Sequence, residues 1–98
     1  MLVKDLKKFI NSLPEDKMST RLLFSSEEFS ISGTVHKVSL AKKDLYYNGD
    51  DDPSTLYTKK QLIKEQDVDP GDIEDLDIEI GKGSVVVWID PPSNKSIY

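Results

Sequence analysis

Leu2, Val3, Leu6, Phe9, Ile10 and Leu13 recur at intervals of three and four, with Lys4, Asp5, Lys7 and Lys8 between them. That spacing predicts an amphipathic helix over residues 2–13. Pro14 stops it, since proline has no N–H to continue a helix. After the polar turn "PEDKMS" the period becomes alternating, and the runs "TRLLFS" and "FSISGTVHKVSL" read as strands joined through "SSEE" into a hairpin. In the second run Phe29, Ile31 and Val35 share one parity while Val38 and Leu40 share the other. A strand with one buried face needs a bulge or break to do this, near Gly33 or around His36 and Lys37, unless the run is two short strands.

The stretch "YYNGDDDPST", residues 46–55, is turn chemistry throughout and predicts an exposed loop. Thr58 followed by Gln61 fits a capping box, and "KKQLIKEQ" supplies a short second helix with Leu62 and Ile63 as its buried pair. "DVDPGD" is a further turn. "LDIEI" then alternates and "SVVVWID" is nearly continuous apolar, so the two are expected to form a C-terminal hairpin through Gly81, Lys82 and Gly83. Val85, Val87 and Ile89 are expected to face the helices, with Val86 and Trp88 on the opposite face. Residues 91–98, with two prolines and no period, are expected to be a flexible tail.

The resulting order, α-β-β-(β)-α-β-β, predicts an α+β fold: a mostly antiparallel sheet of four to five strands with two helices on one face. A chain of 98 residues is expected to make one compact domain over residues 1–90.

Charge changes the picture. The net charge of −5 is uneven: residues 1–49 carry eight basic and six acidic side chains, and residues 50–98 carry five and twelve. The stretch "EQDVDPGDIEDLDIEIGKG", residues 65–83, holds eight carboxylates before Lys82. Such a surface repels nucleic acid and membranes and attracts basic partners. With no cysteine there is no disulfide framework, thiolate metal site or Cys nucleophile. No apolar run approaches the length of a membrane helix, and charge interrupts the opening residues too early for a signal-peptide core. A cytoplasmic protein is the expectation.

Candidate catalytic chemistry is thin. His36 is the lone histidine and has no cysteine or second histidine with which to build a triad or zinc site. "NGDDDP" and "DVDPGD" offer oxygen ligands, but their prolines and glycines do not fit an EF-hand loop. Gly81-Lys82-Gly83 lacks the length and the following helix of a phosphate-binding loop. No metal, cofactor or catalytic residue is assigned, and no enzyme activity is expected.

Recognition is the stronger theme. If Leu76, Ile78 and Ile80 are buried, Asp75, Asp77 and Glu79 project together from one strand face. Successive side chains there lie about 6.5–7 Å apart, close to the spacing of phosphates along a nucleic-acid strand. The bland alternative is a solvated face that also guards a sheet edge. Tyr46, Tyr47 and Tyr57 flank the loop carrying Asp50, Asp51 and Asp52, a composition that serves either recognition or anchoring of the loop. With Asp72 and Trp88, these residues form the expected partner-binding set.

The opening "LVKDLKKFINSLPED", through Val3, Leu6, Phe9, Leu13, Pro14, Glu15 and Asp16, resembles the start of many small bacteriophage accessory proteins. There a lysine-rich amphipathic helix ends in a Leu-Pro turn before a sheet. The resemblance covers about a sixth of the chain and transfers no active site. It implies an acidic protein that binds a host protein such as a defence nuclease, a CRISPR effector or a transcription factor. The leading expectation is therefore an inhibitor that occludes the basic surface of a host protein, binding neither nucleic acid nor membrane, with homodimerisation left open. The alternatives are a sequestering protein for a nucleotide signal, with Lys82, His36 or Lys37 holding phosphate, and a virion or assembly component.

Overall fold

Helix α1 (Val3–Ser12) begins where the side chain of Asp5 reaches back to accept the N–H of Leu2 at 3.1 Å. An acidic residue in the first turn also suits the positive end of the helix. The helix ends at Leu13, which has extended dihedrals because a residue before proline is driven out of the helical region. These details come from a computed structural model that describes residues 1–49, 51–94 and 97. The protein is α+β, and among the described residues every strand pair is antiparallel.

The chain divides into two units, Met1–Val35 and His36–Tyr98. In the first, α1 is followed by a 3-10 turn (Glu15–Lys17) and the expected hairpin of β1 (Leu23–Ser26) and β2 (Ile31–Thr34). Phe24 stands opposite Gly33, with its ring over the glycine: a Cβ there would lie 3.0 Å from the ring. No residue of this unit is buried, and Phe29 is 70% exposed.

The second unit contains β3 (Lys37–Leu40), β4 (Leu45–Asn48), β5 (Asp52–Thr58), α2 (Lys59–Lys64), α3 (Pro70–Ile73) and β6 (Val85–Trp88). β4 and β5 form a hairpin whose register shifts at Tyr47 and Asn48, and β3 pairs with β6. The core is Tyr57, Leu62 and Ile73, with Tyr46, Ile63, Val68 and Leu76 packed against it. The expected capping box starts α2: the Thr58 hydroxyl accepts the Gln61 N–H, and the Gln61 side chain accepts the Thr58 N–H. Asp69 caps α3 by accepting the N–H of Gly71 at 3.0 Å, with Pro70 in the first helical position.

The parity change in "FSISGTVHKVSL" is resolved as two strands, β2 and β3, separated by Val35 and His36. Instead of a sheet of four to five strands, the six strands among the described residues form three two-stranded ladders.

The expected C-terminal hairpin is not formed. "LDIEI" is not a strand: Asp75 and Leu76 close turns onto Asp72 and Ile73, and only Ile80 bridges, to Leu45. β3 occupies the ladder position beside β6, and alternation in a sequence cannot say which partner takes it. Leu76 goes to the core beside α3, and Ile78 remains 53% exposed.

The faces of β6 are also reversed. Val86 and Trp88 are half-buried, and Val85, Val87 and Ile89 are exposed. The Trp88 indole N–H donates to the Ser39 hydroxyl diagonally across the ladder at 2.7 Å, which holds the large ring on the covered side.

Beyond Ile89, two described residues are held against the second unit. Asn94 donates to Gln61 Oε1 at 2.8 Å and to the Leu56 carbonyl at 3.4 Å, and Ile97 is buried. Among the described residues no helix is long and apolar enough to cross a membrane.

Candidate functional site

The two acidic loops, more than a dozen residues apart in sequence, meet in the second unit. Gly49, at a φ of 50°, turns the β4–β5 connection, and the Asp51 N–H donates back to the Asn48 carbonyl at 3.0 Å. The Asn48 side chain donates to Gln66 Oε1 at 3.3 Å, which ties this turn to the α2–α3 loop. That loop bends at Asp67, whose φ is 53°, a conformation aspartate tolerates better than most residues. The Val68 N–H then donates to the Leu62 carbonyl at 2.9 Å.

The result is a concavity of ≈480 Å³ lined by the carboxylate residues Asp51, Asp67, Asp69 and Asp72, together with apolar Val68 and Leu76. Among the described residues no group of three acidic or histidine side chains is arranged to hold a metal ion. The arrangement suits cationic side chains: the carboxylates accept from guanidinium or ammonium groups, and the apolar residues take their aliphatic stems.

The expected partner-binding residues are dispersed. Asp51 and Asp72 line the concavity. Asp50 lies outside the described residues. Asp52 is turned onto its own hairpin, where it accepts the Tyr57 hydroxyl at 2.6 Å and the Ser54 hydroxyl at 2.9 Å. The Tyr57 bond, then the Ser54 bond, hold the Asp52 carboxyl below its ordinary range. The same bond to the carboxylate raises the Tyr57 phenol. Tyr57 is buried in the core, so this pair anchors the loop.

Tyr46, directly opposite Tyr57 in the ladder, packs against the core from the same face. Tyr47 points the other way and shares a groove of ≈410 Å³ with Val86 and Trp88. Asp75, Asp77 and Glu79 are exposed, but their segment is not a strand. The regular spacing on which an imitation of a phosphate backbone depended is therefore absent.

A second constellation went unrecognised in the sequence. Lys43, Lys59, Lys60, Lys64 and Lys82 line a pocket of ≈540 Å³ with Asp44, Tyr46, Thr58 and Ile63. Asp44 Oδ1 accepts the backbone N–H of Lys82 at 2.7 Å, and the Ala41 carbonyl accepts that of Gly83 at 2.8 Å, so the Gly81–Gly83 turn is pinned beside the β3–β4 connection. Of the cations expected to hold phosphate, Lys82 lines this pocket, whereas His36 and Lys37 do not. Lys60 and Lys64, one helical turn apart with no acid between them, were the available signal, hidden by the acidity of the surrounding half.

Comparison with known proteins adds no relative: no protein-family model matches the chain, and no curated protein or solved structure is significantly similar to it.

Proposed function

We propose that this chain is a non-enzymatic binding protein that receives a basic segment of another protein in the concavity between the β4–β5 turn and the α2–α3 loop. The observation that carries this reading is the meeting of Asp51 with Asp67, Asp69 and Asp72 around Val68 and Leu76. Clustered carboxylates raise the rate of encounter with a cationic surface, and lysine or arginine stems lying on the apolar residues slow its release. Binding inhibits the partner by covering the basic surface with which it works. The opening residues resemble bacteriophage accessory proteins, and on that reading the partner is a host protein that handles nucleic acid.

The test uses a fluorescently labelled arginine-rich peptide, titrated at low and high salt. Asp51→Asn/Asp67→Asn/Asp69→Asn/Asp72→Asn keeps the side-chain shapes, preserves an N-cap residue at position 69 and leaves a residue tolerant of positive φ at 67. It is expected to weaken binding by about tenfold or more, a loss of about 1.4 kcal/mol or greater. Asp75→Asn/Asp77→Asn/Glu79→Gln removes charge outside the concavity and is expected to cost about threefold or less. Equal losses in the two variants would mean that bulk acidity does the binding, and the assignment of the concavity would fall. The same pair of proteins then discriminates true partners in a host lysate.

A further inference from the structure

We propose that the second unit also binds an anion carrying a planar ring, of the nucleotide class, in the pocket rimmed by Lys43, Lys59, Lys60, Lys64 and Lys82. The proposal is independent of the acidic concavity. A solvated helix face would account for the three lysines of α2 alone. It does not account for convergence with Lys43 from the β3–β4 connection and Lys82 from the turn before β6.

This rim also runs against the balance of the chain. Acidic residues outnumber basic ones 18 to 13, yet the pocket has five lysines and a single acid, Asp44, whose carboxylate is engaged by the Lys82 N–H. Lys60 and Lys64 repel one another across one turn. That repulsion is relieved by a bound anion.

The pocket selects for more than charge. Tyr46 and Ile63, both half-buried, give it an apolar side on which a ring can lie. Lysine ammonium groups act as point charges suited to phosphate. The volume of ≈540 Å³ falls within the usual range of small-molecule sites. The net charge of −5 does not forbid the approach of an anion, because exposed charges are screened beyond about 8 Å at physiological ionic strength.

Calorimetric titration of the full chain with the nucleoside 5′-monophosphates of A, C, G and U, with inorganic phosphate and adenosine as separate arms, tests the proposal. At least one monophosphate is expected to bind saturably and to weaken as salt is raised. Phosphate alone and adenosine alone are each expected to bind about tenfold or more weakly than it does. Lys60→Gln/Lys64→Gln changes exposed positions and is expected to reduce nucleotide affinity about tenfold or more, with an unchanged circular dichroism spectrum. Lys4→Gln/Lys7→Gln/Lys8→Gln on α1 is expected to leave it unchanged.

Absence of saturable binding by all the monophosphates up to about 1 mM would overturn the proposal. So would equal weakening by the α1 variant, or inorganic phosphate binding as tightly as the nucleotide.

Discussion

Leu62→Ala tests the element on which both candidate sites depend. Leu62 is fully buried and packs with Tyr57 and Ile73. It thereby seats α2, whose lysines rim one pocket and whose C-terminal loop carries Asp67 and Asp69 of the other. Truncating a buried leucine to alanine costs about 2–5 kcal/mol, through lost transfer energy and the cavity left behind. A unit the size of His36–Tyr98 has a total stability of only about 3–9 kcal/mol at the usual value per residue. The substitution should therefore remove a large share of it, lowering Tm by about 10 °C or more at about 4–8 °C per kcal/mol. Thermal and urea unfolding can be followed by fluorescence of Trp88, the single tryptophan, which is half-buried in the same unit. Val38→Ala, at a position 47% exposed in β3 of the same unit, provides the comparison, with an expected effect within about 0.5 kcal/mol. If Leu62→Ala also costs less than about 1 kcal/mol, α2 is not seated by this residue and the geometry argued for both pockets loses its foundation.

Two further predictions probe loops. The Asp52 carboxyl is lowered from 3.8 when folded, so the unfolded chain takes up the proton first; the resulting stability is full above pH 3.8 and lost as pH falls through the lowered folded value. The Tyr57 phenol is raised from 10.0, so its share is full below pH 10.0 and lost as pH rises through the raised value. Tyr57→Phe should weaken the first dependence and abolish the second in a plot of Tm against pH; an unchanged profile would show that the 2.6 Å bond does not persist in solution. Gly83 has a φ of +88° with nothing near its absent Cβ, so Gly83→Ala meets backbone strain alone and should cost about 1–2 kcal/mol. At Gly81, whose φ lies outside that region, a Cβ would meet only Ser84 Oγ at 3.9 Å, and alanine there should be neutral or stabilising by up to about 1 kcal/mol in urea unfolding. Equal effects at the two glycines would contradict the turn geometry.

Local physics made part of this protein legible in advance. The 3–4 spacing of apolar residues and Pro14 are enough to specify α1 and its end, and Thr58 with Gln61 suffices to start α2. The turn residues between Leu23 and Thr34 dictate the first hairpin. Each of these depends on residues within a few positions of one another, where propensity and hydrogen bonding act without help from the rest of the chain. Strand pairing does not. β6 joins β3 across more than forty residues, and the alternation of "LDIEI" looked equally suited to the role. The choice was made by competition for one row of backbone groups, together with the demand of the α3 region for Leu76 in the core. The faces of β6 followed from that choice, because Ser39 supplies the partner that the Trp88 indole needs. Composition revealed the acidity of the second half, but only the packing of α2 and α3 against the β4–β5 hairpin brought Asp51 to Asp67, Asp69 and Asp72. The same packing turned Asp52 and Tyr57 toward one another, and it gathered five lysines from three separate stretches. Charge along a chain is a sum over neighbours in sequence, whereas a binding site is a sum over neighbours in space, and only the tertiary structure converts one into the other.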